Sequence, residues 1–121
     1  MAVRTEPANL ARLEAADAHA IRAFADRVRH ELGTHVVSIR LFGSKARGDS
    51  TTGSDINVFV VIQPDADRVR LETAVSDIGF DVSLEHGVHV SPCVVATGVV
   101  NDPTCRDTPF LRAIEREGVS V

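Results

Sequence analysis

The residues of this chain best suited to chemistry lie between positions 43 and 57. A Gly43-Ser44 turn follows a strand-like segment, and Lys45 and Arg47 come directly after it. Backbone N–H groups at the start of a helical turn attract phosphate, and glycine lets phosphate approach the backbone closely. Arginine can bind phosphate as a bidentate fork and lysine as a point charge. These four residues are therefore predicted to bind the phosphates of a nucleotide.

A second group of polar side chains stands at the start of the next apolar segment. Asp55 and Asn57 are two residues apart, so on a strand they project from the same face. Two such oxygen donors can hold a hard cation such as Mg²⁺, provided that substrate phosphates and water complete the oxygen shell. The sequence thus predicts a site at which a nucleoside triphosphate and a divalent metal are held together.

The segments around these residues alternate between helical and strand patterns. Apolar residues recur at intervals of three and four from about 7 to 32, which predicts an amphipathic helix, although Asp17 interrupts the apolar stripe. The other expected elements are strands over 36–42, 56–62 and 88–96, helices over 65–85 and 110–117, a loop over 97–106 and a small edge strand over 119–121.

This order of elements predicts an α/β (α+β) fold of two layers, a short mixed β-sheet with helices packed on one face. Pro92 marks the third strand as an edge or a bulge. The length of 121 residues predicts a single domain, 1–121, with an N-terminal helix over about 7–32 and a catalytic-type core over about 36–121.

Composition narrows the classes of function. The net charge of −4 and the absence of Trp and Tyr disfavour nucleic acid as a partner. The apolar runs are far shorter than the roughly 20 residues of a membrane span, so no membrane association is expected. A cytoplasmic location is expected instead. With two cysteines, reduced thiols are expected rather than a disulfide scaffold. A homodimer through the amphipathic helix is compatible with the stripe.

The combined pattern resembles the minimal nucleotidyltransferases of the DNA polymerase β superfamily, as in HEPN/MNT toxin–antitoxin pairs. That family has Gly-Ser, a short basic helix ending in Arg-Gly, and then Ser-Asp-x-Asp. This chain reads Gly-Ser-Lys-Ala-Arg-Gly over 43–48 and Gly-Ser-Asp-Ile-Asn over 53–57. The segments 91–92 and 109–118 also look like these domains, so the resemblance covers nearly the whole chain from Val36 onward.

The resemblance implies roles for particular residues. Gly43 and Ser44 fall on the triphosphate turn and Asp55 on the first metal carboxylate, whereas Asn57 stands where the family has a second carboxylate. The family also has a third carboxylate on a later strand, but the polar positions of the segment 88–95 are His89 and Ser91. His89 is the candidate to replace it as the base, since histidine titrates near neutrality.

These departures weaken the prediction of catalysis more than that of binding. An amide in place of a carboxylate removes one negative charge from the metal site. A missing proton acceptor removes general-base help worth roughly 10² to 10⁴ in rate. We therefore expect nucleotide binding to survive, with transfer that is slow, favoured by Mn²⁺, or absent.

The function predicted is binding of ATP or another nucleoside triphosphate with Mg²⁺ or Mn²⁺ and transfer of the nucleoside monophosphate to a hydroxyl. The resemblance implies a helical toxin partner as the acceptor, with this chain as its antitoxin. The alternative is a catalytically degenerate, non-enzymatic antitoxin or binding module of the same fold. A template-free polymerase is disfavoured by the acidic balance, and modification of a small drug generally needs a further domain.

Each candidate residue also has a purely structural interpretation. Gly43-Ser44 with the Asp-Asn pair can simply shape a connection between strands. Lys45 and Arg47 can form a solvated basic face, or Arg47 can pair with Asp49. On an otherwise apolar strand, a histidine such as His89 is more often a hydrogen-bonded structural residue than a base.

Overall fold

A four-stranded mixed β-sheet forms the centre of the protein. The computed structural model describes residues 15–48, 53–64 and 67–121. The strands are β1 (Val36–Phe42), β2 (Ile56–Ile62), β3 (Val90–Ala96) and β4 (Val119–Ser120), in the order β3-β2-β1-β4. The β1–β2 and β1–β4 pairs are antiparallel and the β2–β3 pair is parallel. The predicted mixed sheet is confirmed, with β3 and β4 at its edges.

Six helices surround the sheet in the described part of the chain. Two are long, α1 (Ala15–Leu32) and α3 (Arg68–His86), and a single 3-10 turn leads from α1 into β1. The four short ones are α2 (Ser44–Arg47), α4 (Thr97–Asn101), α5 (Pro103–Arg106) and α6 (Pro109–Glu117). None of the helices described is long and apolar enough to cross a membrane.

The two faces of the sheet are covered unequally because strand side chains alternate between them. Ile56, Val58, Val60 and Ile62 of β2 face the main core, where they pack with buried residues of α1 and α3. On the opposite face a smaller apolar cluster forms around Phe59, Val61 and Ile114, so α6 covers part of this face. The α+β fold with the long helices on one face agrees with prediction, and the contribution of α6 adds to it.

The two long helices are also joined at the surface. Arg27 of α1 forms a bidentate pair with Glu85 of α3, with Nη1 and Oε2 2.9 Å apart. Hydrogen bonding from Arg27 lowers the pKa of Glu85 below its ordinary value. Because both side chains are exposed, this pair is a surface link between helices that already pack through their apolar faces.

Most predicted boundaries agree with the structure, and two need comment. The helix expected over about 7–32 is described from Ala15 onward, and residues 7–14 lie outside the described part. α3 runs unbroken through Gly79, where a Cβ would lie 3.3 Å from the Pro92 ring. The glycine therefore lets α3 approach β3 closely, which outweighs its low helix propensity.

The prediction of a loop over 97–106 was wrong, since α4 and α5 occupy it. Asp102 accepts a hydrogen bond from the Thr104 N–H at 2.8 Å, and Pro103 opens α5. The same pattern of a capping residue followed by proline correctly placed the start of α6 at Thr108-Pro109. In the described residues Cys93 and Cys105 are free thiols, and burial raises the pKa of Cys93.

Candidate active site

The turn between β1 and α2 has a backbone that only glycine adopts readily. Gly43 has φ 79° and ψ −156°, a combination essentially restricted to glycine. Its carbonyl accepts hydrogen bonds from the N–H groups of Ala46 and Arg47, both at 3.1 Å. The N–H groups of Ser44 and Lys45 precede these and stand at the open start of the helical turn. The structure thus forms the turn that the sequence predicted for phosphate.

Asn57 lies directly against this turn. A Cβ added at Gly43 would lie 2.9 Å from Asn57 Nδ2. Asn57 is also the cross-strand neighbour of Phe42 on β1 and of Ser91 on β3. The predicted phosphate turn and the predicted metal side of the site are therefore adjacent in space, because β1 and β2 pair in this register.

Gly43→Ala is expected to damage both the fold and the site. The added Cβ requires a backbone conformation that costs about 1–3 kcal/mol for a residue other than glycine, and it meets the Asn57 amide at 2.9 Å. We expect a loss of about 2 kcal/mol in the free energy of unfolding, together with about a tenfold loss of nucleotide affinity as the turn shifts. Chemical denaturation and calorimetric titration with ATP measure the two effects.

Gly33→Ala is the matched control for this substitution, because it also has a positive φ, 56°, but no atom within 4 Å of the added Cβ. It should lower stability without changing nucleotide affinity. Equal affinity losses in both variants would contradict a specific role for Gly43.

Asp55 and His89 meet at the start of the parallel strand pair. Ile56 pairs with Val90, so the residues that precede them, Asp55 and His89, lie side by side. His89 Nδ1 is 2.7 Å from Asp55 Oδ1, and the Ile56 N–H donates to the His89 carbonyl at 2.8 Å. The His89 side chain is 66% exposed and the Asp55 side chain 57% exposed, so both can be reached from solvent.

Asp55 directly precedes β2 and Asn57 is the second residue of that strand, so Ile56 alone separates them. Ile56 between them is fully buried toward α1 and α3, so its two neighbours project toward the opposite side. This agrees with the common face expected from the sequence, and the use of the two residues as a metal pair stays a prediction. His89 and Ser91 were the polar residues expected on the third strand. His89 directly precedes β3, and the structure brings its imidazole to the Asp55 carboxylate.

Lys45 lies in a different environment from the one that the sequence suggested. Its ammonium group is 2.8 Å from Asp17 Oδ2 of α1, and the two side chains are 5% and 10% exposed. The alternative prediction that Lys45 forms part of a solvated basic face is therefore wrong. Direct contact between Lys45 and phosphate stays a prediction, and the burial of its charge against a carboxylate does not support it. The signal in the sequence was Asp17, which interrupts an apolar stripe.

Arg47 remains at the surface beside the turn. Its Nη1 lies 3.4 Å from Glu117 Oε1 at the end of α6, and its side chain is 45% exposed. An exposed pair at this distance is weak, so the guanidinium can exchange that contact for a phosphate. The contact with Glu117 was not predicted, and the alternative partner offered by the sequence, Asp49, lies outside the described residues.

The donor atoms suit a divalent cation only in part. Within residues 15–48, 53–64 and 67–121, no three His, Cys, Asp or Glu side chains form a group that could hold a metal ion. Asp55 and Asn57 offer one carboxylate and one amide oxygen on the same face. They fit Mg²⁺ or Mn²⁺ when nucleotide phosphates supply further oxygens, because such ions take oxygen ligands and are bound by few protein groups.

An aromatic cluster and a cavity lie on the same sheet face as Asn57, and sequence reasoning missed both. The rings of Phe42, Phe59 and Phe110 meet edge to face, with centroids 5.6 to 6.3 Å apart. Beyond them is a cavity of about 230 Å³ whose polar lining includes Arg40 and Arg106. Strand alternation puts Asn57 and Phe59 on the same face, and this was the sequence signal that could have predicted an aromatic group there.

The fold and this site define a nucleotidyltransferase domain. The model of that family, described as "Nucleotidyltransferase domain", matches residues 21–116, and the chain belongs to this family. Members of the family generally use a nucleoside triphosphate and a divalent metal.

Two individual proteins are also similar to this chain, at lower levels of likeness. It is 29% identical over 73 residues to a protein of Methanocaldococcus jannaschii named "Putative protein adenylyltransferase". That match takes in 60% of this chain and 50% of the relative, so the chain spans about half of the relative's length. It also superposes on a chain of a structure described as "Crystal structure of the toxin-antitoxin with AMP-PNP".

The superposition has a TM-score of 0.51 at 16% identity and covers 80% of this chain and 68% of the other. At that identity the likeness shows the fold alone. Taken with the family match, it confirms the resemblance to minimal nucleotidyltransferases.

Proposed function

We propose that this protein binds a nucleoside triphosphate at the segment 43–57 and transfers its nucleoside monophosphate to a hydroxyl group. One observation carries the proposal: Asn57 packs against Gly43, and Asp55 contacts His89 beside it. Hydrogen-bond donors for phosphate, metal-binding oxygens and a proton acceptor thereby lie at one end of the sheet, where β1 ends and β2 and β3 begin. Such convergence of polar groups on a family-typical turn is more specific than any of them alone.

Each residue then has a defined task. The backbone N–H groups of Ser44 and Lys45 and the Ser44 hydroxyl bind phosphate oxygens, and the Arg47 guanidinium adds a bidentate, charged contact. Asp55 Oδ2 and the Asn57 amide oxygen would hold the divalent metal, which when bound neutralises charge on the phosphates. Asp55 Oδ1 contacts His89 Nδ1 at 2.7 Å and so orients the imidazole ring.

The chemical step is an in-line displacement at the α-phosphorus. The acceptor oxygen forms a bond to that phosphorus, the bond to the bridging oxygen breaks, and pyrophosphate leaves. The acceptor's proton passes to His89 Nε2, the ring nitrogen that does not contact Asp55. The Asp55 carboxylate stabilises the imidazolium that results, as a carboxylate does beside a catalytic histidine.

We propose ATP as the donor and a hydroxyl on a helical toxin protein as the acceptor. Support comes from the relative named an adenylyltransferase and from the toxin–antitoxin structure that contains AMP-PNP, each of which describes that other protein. Metal preference is also a proposal. With one carboxylate and one amide, Mn²⁺ should support activity better than Mg²⁺, because Mg²⁺ demands near-ideal octahedral geometry and gives up its water reluctantly.

Binding of ATP is the first expected result. Calorimetric titration of ATP, GTP, CTP and UTP with MgCl₂ or MnCl₂ should show saturable, metal-dependent heat for at least ATP. Arg47→Ala should weaken ATP binding about tenfold, the effect of losing one charged hydrogen bond. Arg70→Ala removes a more exposed arginine from the first turn of α3 and should leave ATP affinity unchanged. Absence of heat with all four nucleotides would overturn the proposed function.

A non-enzymatic antitoxin or binding module is the second candidate. It is favoured by Asn57 and by Ser91, which lies opposite it on β3 without a carboxylate. Incubation with ATP labelled at the α-phosphate and the neighbouring gene's product, followed by a denaturing gel, separates the two candidates. Label on the partner protein shows transfer. A stable complex of the two proteins without label, under conditions where ATP binds, shows the module.

A further inference from the structure

The described residues contain one pair of buried charged side chains, Asp17 and Lys45. Lys45 Nζ donates to Asp17 Oδ2 at 2.8 Å, and within residues 15–48, 53–64 and 67–121 these are the only charged residues that are buried. A buried charge is strongly unfavourable unless it is paired, so each of the two depends on the other. The contact joins α1 to α2 across 28 positions of the chain.

The position of Lys45 makes this contact relevant to the candidate site. Lys45 follows Ser44, and α2 is a single turn of four residues. A helix of one turn is not stable by itself. Its orientation must therefore come from contacts with the rest of the fold. Two buried contacts are visible in the described residues: Ala46 is fully buried in the main core, and Lys45 is bound to Asp17. The contact of Arg47 with Glu117 is exposed and weak.

The partner helix is well suited to serve as an anchor. α1 spans 18 residues, packs into the main core through Ile21, Phe24 and Val28, and is linked to α3 by Arg27. Asp17 stands on its buried side, where an apolar residue would continue the stripe. A carboxylate at such a position needs a specific partner, because a buried charge is strongly unfavourable unless it is paired.

We infer that Asp17 and Lys45 are positioning residues that hold the Gly43-Ser44 turn in place for phosphate, and that the Lys45 charge is used by Asp17 rather than by the nucleotide. This inference rests on the proposed nucleotide-binding function. It assigns the direct cationic contact to Arg47, whose guanidinium is half-exposed. It also gives α1 a role in the site, although Asp17 precedes the turn by many residues.

Two variants test the inference: Lys45→Met, and the double variant that combines it with Asp17→Leu. Lys45→Met leaves the Asp17 carboxylate buried without its cation, so we expect Tm to fall on the order of 10 °C. Hydrogen exchange of the amides of residues 43–48 should become faster, and ATP affinity with MgCl₂ should fall at least about tenfold. Arg27→Met, which removes the exposed link between α1 and α3, is the control and should leave exchange at residues 43–48 unchanged.

The double variant separates positioning from direct phosphate contact. Replacing both charges with apolar side chains is expected to restore Tm, since a buried ion pair can be exchanged for apolar packing at little cost. If the rate of hydrogen exchange at residues 43–48 returns to the wild-type rate, we expect ATP affinity to return to within about threefold of wild type. Weak binding with persistently fast exchange would likewise support positioning by the pair itself.

Two outcomes would overturn the inference. One is a double variant with wild-type exchange at residues 43–48 whose ATP affinity remains tenfold low, since Lys45 would then contact phosphate. The other is a Lys45→Met variant with unchanged exchange there. A wild-type protein that binds no nucleotide would refute the proposed function instead, while the exchange measurements would still decide whether the pair holds the turn.

Discussion

Asn57→Asp is expected to raise metal-dependent nucleotidyl transfer by about 10²-fold, the size of effect seen when one well-placed electrostatic group is added or removed at a reacting centre. The new carboxylate would stand beside Asp55 on the same face of β2 and supply a second negative charge for the cation. Aspartate has the shape of asparagine, so it fits against Gly43 without moving the strand. The preference for Mn²⁺ over Mg²⁺ should shrink at the same time.

The rate of label transfer from α-labelled ATP, measured over a range of MgCl₂ and MnCl₂ concentrations, checks this expectation. Gln63→Glu is the matched control: it adds the same charge just beyond β2, at the opposite end of the strand from Asp55, on an exposed residue. Its rate should equal that of wild type. Placement of Asn57 in the metal site is refuted if Asn57→Asp changes neither the rate nor the metal dependence of ATP affinity.

His89→Gln is expected to lower the rate of transfer at least about 10²-fold, the usual contribution of a general base. Glutamine can keep a hydrogen bond to Asp55, but it cannot accept a proton at neutral pH. The metal-binding oxygens and the phosphate turn are untouched, so ATP affinity should stay close to that of wild type. A fall in kcat without a rise in the KM for ATP is the expected signature.

The comparison is made with His30→Gln, an exposed histidine on α1 that contacts none of the site residues named above. If His89→Gln slows transfer no more than this control does, His89 is a structural partner of Asp55 and the proton leaves by another route. If it abolishes ATP binding instead, the Asp55–His89 contact maintains the site rather than the chemistry.

Local patterns predicted the strands and the turn well because the physical causes are local. The segments 36–42 and 56–62 are β-branched and apolar, and both are strands with those bounds. Gly43 was expected at a tight turn, and its positive φ bears this out. The segment 97–106 was missed because α4 and α5 have only five and four residues, too few for a periodic apolar stripe, although Asp102-Pro103 repeats the signal that placed α6.

The contacts that link distant parts of the chain could not be predicted in the same way. Asp17 was visible as an interruption of a stripe, but nothing in the sequence named Lys45 as its partner. The pairing of Phe42 with Asn57 likewise depends on a strand register that a shift of one residue would reverse.

By itself, the sequence determined the class of fold, the glycine turn and the common face of Asp55 and Asn57, because backbone preference and strand alternation act within a few residues. Only the tertiary structure decided that Asn57 lies against Gly43, that His89 reaches Asp55 and that Lys45 turns toward α1. These three contacts follow from strand register and helix packing, which are set by burial of side chains far apart in the chain.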